Sequence, residues 1–240
     1  MPEPLRRWLS LRKRRLAAVP LGEDWAGLRR LEPVSRQFGI ERGDPIDRFY
    51  IERFLGEHAR DVKGRVLEIG DDLYTRRFGG NRVEQSDVLH AVAGNPLATL
   101  VGDLARPEAL PADSFDCILC TQTLTHIFDL RGAVRGLHRM LRPGGVALVS
   151  VPGISPISRH DMERWGDFWR FTTLSLRRLF TEAFPADSVA VEPHGNLLAS
   201  IAFLHGLAAQ DLRRDELEAR DPDFELLLTL RAVKPPRSAP

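Results

Sequence analysis

Three carboxylates lie within or directly after short apolar runs in the first half of the chain. Glu68 lies in "RVLEIG", Asp87 in "RVEQSDVL" and Asp103 in "ATLVGD". In an α/β domain that binds a nucleoside, a glycine turn lets the ligand approach the backbone. An acid about 20 residues further on then accepts hydrogen bonds from ribose hydroxyl groups. Glu68, Gly70 and Asp87 follow this order, so we interpret Asp87 as the end of a second strand.

Two later segments contain groups that could remove a proton from a hydroxyl group. His126 lies in "TQTLTHIFD", directly after a fourth apolar run, and His160 and Asp161 lie in "SRHDMERWGDFWRF". Imidazole titrates near neutral pH and is the most common general base in enzymes. We predict His126, His160 and Asp161 as candidate catalytic residues, with packing as the alternative role of His126.

The segment after the fifth apolar run is rich in groups that could bind an acceptor. Trp165 and Trp169 could form the wall of a pocket or pack a lid on the core. Arg170 could bind an acid or pair with a nearby carboxylate. His194 and Asn196, in "EPHGNLL", follow a sixth run and could reach the same edge of a sheet. We predict all five as candidate substrate-binding residues.

The composition excludes several classes of function. With 34 basic and 33 acidic residues the formal charge is +1, which does not indicate nucleic-acid binding. Cys117 and Cys120 are the two cysteines, too few for a disulfide framework, and fit a reducing, cytoplasmic setting. On a strand they would face opposite sides, so we predict no metal site. No run of about 18 apolar residues predicts a spanning helix.

Apolar runs alternate with helical segments from Arg65 onwards, which indicates βαβ units and a parallel sheet. We predict α/β architecture: a Rossmann-like, doubly wound, seven-stranded, mostly parallel sheet with helices on both faces. The predicted strands are "RVLEIG", "RVEQSDVL", "ATLVGD", "FDCILCTQ", "GGVALVSVP", "SVAVEP" and "FELLLTLRAV". The predicted helices include "GDPIDRFYIERFLGEHARDVKG", "DLRGAVRGLHRMLRPGG" and "NLLASIAFLHGLAAQDL".

The domain boundaries follow from these elements. We expect a basic N-terminal helical extension over residues 1–40, a catalytic domain over 41–233 and a disordered tail over 234–240. Residues 1–16 combine six basic residues with apolar residues at helical spacing. This segment could contact an anionic membrane surface or a partner, or it could be a solvated arm.

The ordered motifs resemble one enzyme family. The acid-glycine turn is followed by "VGDL", "LPADSFDCILC" and "LRPGGVALVSVP", and this order is similar to that of the class I S-adenosylmethionine-dependent methyltransferases, of the small-molecule, domain 11-like type. The resemblance covers Gly64 to Pro152, and "DFWRFTTLSLRRLF" extends it. It implies S-adenosylmethionine as cofactor and a small-molecule or glycan-type acceptor in bacterial secondary-metabolite or polysaccharide biosynthesis. The candidate histidine bases favour methylation on oxygen.

The resemblance assigns a set of residues to cofactor binding. These are Arg48, Tyr50, Glu68, Gly70, Tyr74, Thr75, Asp87, Asp103, Leu104 and Thr121. Arg48 and Tyr50 lie on the helix before the first strand, from which either could reach the cofactor's carboxylate. The alternative is a surface arginine and a core tyrosine.

The first loop departs from the family pattern of acid-x-Gly-x-Gly-x-Gly. Gly70 is present, but Asp72 and Tyr74 occupy the next two glycine positions. Either the loop is rebuilt, so that Tyr74 or Thr75 contacts the methionine part of the cofactor, or the pocket has decayed. The three remaining acids favour binding. A non-catalytic binding module and a different reaction of a nucleoside, such as decarboxylation, are the alternative functions.

Overall fold

The computed structural model describes residues 30–237, of which Val34 onwards form one compact unit. Seven strands form one sheet in the order β3-β2-β1-β4-β5-β7-β6. Strand β7 is antiparallel to β5 and β6, and the other pairs are parallel. The predicted seven-stranded, mostly parallel sheet is therefore confirmed. The strands are β1 Gly64–Ile69, β2 Val83–His90, β3 Leu100–Val101, β4 Phe115–Thr121, β5 Leu141–Pro152, β6 Val189–His194 and β7 Leu227–Val233.

Helices cover both faces of the sheet. They are α1 Ile46–Glu57, α2 Leu130–Met140, α3 Arg159–Trp165, α4 Thr173–Thr181, α5 Leu197–Leu204 and α6 Arg214–Glu218. Helices α2 and α4 pack on one face, and α1 and α5 pack on the other. Successive strand residues point to opposite faces. Cys120 accordingly belongs to the first core and Cys117 to the second, both fully buried and free, which confirms their predicted orientation.

Among the strand boundaries that differ from the prediction, those of β2 and β3 affect residues assigned to the site. Strand β2 continues past Asp87 to His90, because Val88 and Leu89 are buried and pair with Glu68 and Ile69 of β1. The prediction that β2 ends at Asp87 is wrong. Strand β3 shrinks to two residues, Leu100 and Val101.

The helix predicted from Asn196 to Leu212 ends early. Helix α5 stops at Leu204, and Gly206 has a φ of +70°. An alanine there would bring its Cβ against the backbone of Ser35, so the turn requires glycine. The chain then forms a short turn over Ala209–Asp211.

The termini lie mostly outside the described residues. This applies to the basic segment 1–16 and to residues 238–240. Within the compact unit, Val34 donates a backbone hydrogen bond of 2.7 Å to the oxygen of His205, and Phe38 packs on Phe203 at 5.8 Å between ring centroids. Lys234 extends the pairing beyond β7 through its backbone N–H to Gly145 O. Over residues 30–237, no helix has the length and apolar character needed to cross a membrane.

Candidate functional site

A cavity of about 310 Å³ opens at the carboxyl edge of the sheet, beside the first turn of α1. Strands β4 and β5, the loop after β1 and the segment around α3 surround it. Its polar lining consists of Asp47, Arg48, Tyr74, Thr121, Gln122, Thr125, His126, Ser155, Ser158, Asp161, Asp167 and Arg170. Ligands bind in open α/β sheets at this edge, so the cavity is the candidate site.

The loop after β1 is held by a buried carboxylate. Glu68 accepts hydrogen bonds from the backbone N–H of Tyr74 at 3.1 Å, from that of Thr75 at 2.7 Å and from the Thr75 hydroxyl at 2.7 Å. Burial raises the pKa of Glu68 to about 7, although these hydrogen bonds oppose the shift. Both Glu68 oxygens are therefore engaged by the loop, and Glu68 is not part of the cavity wall.

The backbone conformation of this loop explains why it does not need glycine at positions 72 and 74. Tyr74 has a φ of −75°, and the φ of Asp72 is not positive either. Neither position needs the freedom of glycine. Tyr74 lines the cavity, whereas Thr75 is tied to Glu68. The loop is thus rebuilt as a π-helical turn over Thr75–Gly79.

Gly70 keeps the property that a cofactor needs. Its φ is +94°, and a Cβ added there would meet no heavy atom within 4 Å. Its carbonyl is fixed by the Asn95 side chain, which donates to it at 2.7 Å. The backbone is consequently ordered and open, so a ligand can approach it closely. The loop fits a nucleoside cofactor at this point.

Asp87 does not lie where the sequence prediction needs it. Its carboxylate is buried and accepts from Arg65 Nε at 2.7 Å and from the Thr99 hydroxyl at 2.8 Å. It lies three residues before the carboxyl end of β2, and His90 occupies that end. The His90 ring packs against Trp165 at 5.3 Å. The continuous apolar pair after Asp87 was the signal that the strand runs on.

The loop after β3 carries Asp103 and Leu104. Asp103 is exposed and accepts a hydrogen bond from the backbone N–H of Ala105 at 2.8 Å. Leu104 is buried, and its carbonyl lies against Gly136 of α2. Thr121, at the end of β4, lines the cavity. All three residues lie at the carboxyl edge of the sheet, Asp103 and Leu104 on a loop and Thr121 at the end of β4.

Arg48 and Tyr50 are separated by the helix that carries them. Arg48 lines the cavity, whereas the Tyr50 hydroxyl donates to Leu217 O at 2.8 Å and its ring stacks on His194 at 5.5 Å. Burial raises the pKa of Tyr50 to about 12. The arginine therefore faces the site, and the tyrosine is a core residue.

His194 and Asn196 are not brought to the cavity. The sheet order places β6 at the outer edge, two strands from β5. His194 Nε2 lies 2.8 Å from the Thr229 hydroxyl, and Asn196 caps α5 by accepting from Ala199 N at 2.9 Å. Both side chains thus serve the local packing.

His126 lines the cavity with its ring in a fixed orientation. It lies in the short turn after β4, and its Nδ1 is 2.6 Å from Gly166 O. A carbonyl oxygen only accepts, so Nδ1 carries the proton and donates. In the neutral ring Nε2 then has a free lone pair and can accept a proton.

A partly buried ion pair lies beside His126. Asp167 accepts from Arg170 and from Ser158 N at 3.2 Å, whereas the Thr125 hydroxyl donates to Trp169 O at 2.6 Å. Burial alone would raise the pKa of Asp167, but Arg170 outweighs it and the pKa is lowered. Arg170 also donates to Pro156 O at 2.8 Å. The pairing role foreseen for Arg170 is the one observed, at the cavity wall.

The remaining predicted residues are spread around α3. Asp161 lines the cavity and accepts from the Ser158 hydroxyl at 2.5 Å. His160 is exposed, contacts Arg164 and is not in the cavity wall. Trp169 packs at the edge of the core and donates through Nε1 to Ile127 O at 3.1 Å.

Six polar residues of the wall were not predicted from the sequence: Asp47, Gln122, Thr125, Ser155, Ser158 and Asp167. Asp47 in the first turn of α1 accepts from Gln122 Nε2 at 3.0 Å. Gln122 follows β4 with a φ of +49°, which is uncommon for a residue with a side chain. An acid in a first helical turn also stabilises the helix dipole, and that role concealed Asp47. The polar triplet after β4 was the available signal for Gln122.

This strand order, the open glycine and the polar cavity at the carboxyl edge define a class I methyltransferase fold. The chain belongs to the methyltransferase domain family, whose model matches residues 45–184. The cofactor of this class of fold, S-adenosylmethionine, would supply a methyl group on a sulfonium sulfur. Tyr74 and Thr121 line the cavity, and Gly70 lies at the start of the loop after β1 with open space beside it, so these residues would hold the cofactor.

Curated relatives include enzymes that methylate carbon and oxygen. The ubiquinone/menaquinone biosynthesis C-methyltransferase UbiE of Proteus mirabilis is 29% identical over 169 residues, covering 63% of this chain and 62% of that protein. The malonyl-[acyl-carrier protein] O-methyltransferase of Dechloromonas aromatica is 32% identical over 148 residues, covering 58% and 45%. The chain thus spans about half to two thirds of their length.

Two solved structures share the fold. A SAM-dependent methyltransferase from Archaeoglobus fulgidus has a TM-score of 0.51 at 12% identity, covering 78% of this chain and 94% of that chain. A putative sarcosine dimethylglycine methyltransferase from Galdieria sulphuraria also has a TM-score of 0.51, at 14% identity, covering 78% and 86%. At these identities the likeness concerns the fold alone.

Proposed function

We propose that the protein methylates a hydroxyl oxygen of a small, polar, glycan-type acceptor, with His126 as the general base. The observation that carries the proposal is the orientation of the His126 ring at the cavity wall. Gly166 O holds Nδ1 protonated, so Nε2 is free to accept the proton of an acceptor hydroxyl.

The surroundings of His126 support this role. Protonation of the ring gives an imidazolium, and the buried Asp167 carboxylate close by favours that cation. Arg170 keeps Asp167 ionised by lowering its pKa. Arg170 and the backbone N–H of Ser158 together fix the carboxylate, so the base needs no rearrangement when it takes the proton.

The cavity wall supports a polar acceptor. Asp161 and Ser158 on the α3 side offer oxygen atoms that accept hydrogen bonds from hydroxyl groups. The wall also has an apolar part, which includes Phe38, Ile40 and Ile51. A polyhydroxylated molecule, as in polysaccharide or secondary-metabolite assembly, could place its hydroxyl groups on the polar side of the wall and the C–H face of its ring on the apolar side. Nucleic acid as an acceptor does not fit the near-neutral composition. A cytoplasmic location and a peripheral membrane contact of residues 1–16 stay predictions from the sequence.

The test is methyl transfer from cofactor with an isotopically labelled methyl group to monosaccharides, nucleotide-linked sugars and polyhydroxylated aromatics. Nuclear magnetic resonance of the product identifies the methylated atom. We expect an O-methyl product and a loss of kcat of at least roughly 100-fold in His126→Gln, because general bases contribute about 100-fold to 10,000-fold. His160→Gln, on the exposed side of α3, is the matched control and should retain activity.

A product methylated on carbon, as the name of the P. mirabilis relative describes for that enzyme, would contradict the oxygen assignment. Equal activity of His126→Gln and wild type on an oxygen acceptor would contradict the role of the base alone.

A further inference from the structure

The connection between β5 and α4 leaves the body of the protein and returns to the same place. The backbone N–H of Phe171 donates to Pro152 O at 2.9 Å, so residues 153–170 form a loop whose two ends meet. We call this loop the α3 segment, because it carries α3. Six of the seven α3 residues are exposed, and Asp161 is half-buried. Because α3 buries little apolar surface, polar contacts elsewhere in the segment must hold it in place.

The end of the α3 segment is hydrogen-bonded to the turn after β4. Phe168 N donates to Thr125 O at 2.9 Å, and the Thr125 hydroxyl donates to Trp169 O at 2.6 Å. His126 follows Thr125 in this turn, and its Nδ1 is 2.6 Å from Gly166 O. The ring of His126 is therefore oriented by backbone that belongs to the α3 segment.

Arg170 ties the two ends of the α3 segment together. At the start of the segment its Nε donates to Ser155 O at 3.2 Å and its Nη2 to Pro156 O at 2.8 Å. At the end of the segment two N–H groups of the same guanidinium donate to the two carboxylate oxygens of Asp167, and Nη1 also donates to Trp169 O at 2.9 Å. A guanidinium has five N–H donors in a rigid plane, so one side chain can fix both ends at once.

Asp167 transmits this fixation to Gly166, which precedes it in the chain. The Asp167 side chain is only 3% exposed, so its pair with Arg170 is better shielded from water than a surface pair. Asp167 also accepts from the backbone N–H of Ser158, the residue that caps the start of α3, at 3.2 Å. A displacement of Asp167 would move Gly166 O away from the ring of His126.

We propose that Arg170 is a positioning residue for His126. Through Asp167 it holds Gly166 O against Nδ1, and this contact keeps the proton of the neutral ring on Nδ1. A neutral imidazole carries one proton, on either nitrogen. If Nδ1 loses its acceptor, the proton can move to Nε2, and the lone pair of Nε2 is lost. The catalytic value of this effect rests on the proposed role of His126 as the base, but Arg170 acts on the ring whether or not an acceptor is bound.

The test is nitrogen-15 nuclear magnetic resonance of the histidine rings at about pH 8.5, where histidine is ordinarily neutral. The chemical shifts of the two ring nitrogens report which of them carries the proton, and His126→Gln identifies the signals of His126 by their loss. In wild type we expect the proton on Nδ1. In Arg170→Lys we expect the two shifts to move toward each other or to exchange, because an ammonium is a point donor that cannot span both ends of the α3 segment.

Arg131→Lys is the matched control. Arg131 also donates two hydrogen bonds to a carboxylate, that of Glu182, at 2.7 and 3.2 Å on the exposed surface of α2. This variant should leave the His126 signals and the activity unchanged. With an acceptor in the methyl-transfer assay, Arg170→Lys should lower kcat by about tenfold to 100-fold, less than the loss of the base itself, with no change in the KM for the cofactor.

A second variant separates positioning from a loss of folding. Asp167→Asn removes the charge that Arg170 holds but keeps the shape of the side chain, and it should shift the His126 signals in the same direction as Arg170→Lys. Thermal unfolding checks that each variant is folded. If folded Arg170→Lys and Asp167→Asn both keep the proton on Nδ1, the positioning role is overturned.

The two proposals fail in different ways. A product methylated on carbon, together with shifted His126 signals in Arg170→Lys, would refute the proposed function and support the positioning role. Unshifted signals, together with an inactive His126→Gln, would refute the positioning role and leave His126 as the base.

Discussion

His194 shows how a residue that looks functional in the sequence becomes a determinant of stability. Its ring is buried between Tyr50 and Thr229, and burial lowers its pKa from 6.5 to about 4. In the folded protein the ring stays neutral, whereas in the unfolded chain it takes up a proton below pH 6.5. The unfolded state therefore binds more protons in this range, and the free energy of unfolding falls as the pH decreases.

We predict that this single group removes about 3 kcal/mol of stability between pH 6.5 and about pH 4. His194→Gln keeps a hydrogen bond to Thr229 and cannot titrate. Urea unfolding across this pH range should give a smaller loss for the variant than for wild type. The raised pKa of Glu68, about 7, makes the free energy of unfolding rise as the pH decreases, but this contribution is the same in wild type and in His194→Gln. If the free energy of unfolding falls equally with pH in wild type and in His194→Gln, the loss of stability comes from titratable groups other than His194.

The candidate site could be predicted where a residue directly follows a strand. Such positions come to the carboxyl edge of the sheet whatever the side-chain packing. Examples are Thr121, the last residue of β4, and His126, in the short turn that follows. The sequence could not decide whether Arg48 or Tyr50 faces the site. Residues two positions apart on a helix point in directions that differ by about 200°, so only one of the two side chains can face the cavity. Nor could it find Asp47, whose neighbour Gln122 is 75 residues away.

At the scale of elements, α2 is fitted against the loop that carries Asp103 and Leu104. Gly136 faces this loop, and an added Cβ would overlap the carbonyl oxygen of Leu104. The close contact explains why a helix has glycine in its middle, where alanine would otherwise be favoured by roughly 0.5–1 kcal/mol. Helix α2 thereby sets the position of a loop at the cofactor edge.

Gly136→Ala should lower the free energy of unfolding by about 1–3 kcal/mol, because backbone must move to admit the methyl group. Gly56→Ala in α1 is the matched control. Its nearest neighbour would be Phe78, 3.8 Å away, so this variant should be neutral or gain up to about 1 kcal/mol. Urea unfolding measures both. If both substitutions change the free energy of unfolding equally, the loop that carries Leu104 can move away from the added methyl group with little loss of stability.

The elements themselves were predictable to different degrees. Long apolar runs gave β1, β4, β5 and β7 in the right order, because their buried residues are contiguous. The apolar pair Val88 and Leu89 was a sequence signal that β2 continues past Asp87, whereas the end of α5 was not predictable from the pattern alone. Pairing with β1 extends β2, and contact with Ser35 terminates the turn after α5. Both depend on neighbours that are distant in sequence.

At the scale of the whole molecule, the rebuilt loop predicts measurable stabilisation by the cofactor. A ligand at about a hundred times its Kd adds roughly 2.7 kcal/mol to the free energy of unfolding. For a chain of this size 1 kcal/mol shifts the Tm by about 2–4 °C, so the Tm should rise by about 5–11 °C. S-adenosylmethionine and S-adenosylhomocysteine should both give the shift in a thermal unfolding assay, and ATP should not. Absence of the shift, with no heat of binding, would mean that the Asp72 and Tyr74 positions have abolished the pocket.

The two cysteines have a practical consequence for experiments on this protein. Cys117 and Cys120 are fully buried on opposite faces of the central strand, and burial raises the pKa of both thiols, that of Cys120 to about 12. The thiolate is the species that reacts with maleimides and other alkylating reagents. We therefore expect the native protein not to react with such labels. A cysteine introduced on the exposed side of α3 would be its single reactive thiol, so a fluorophore there could follow this segment in solution without first removing the natural cysteines.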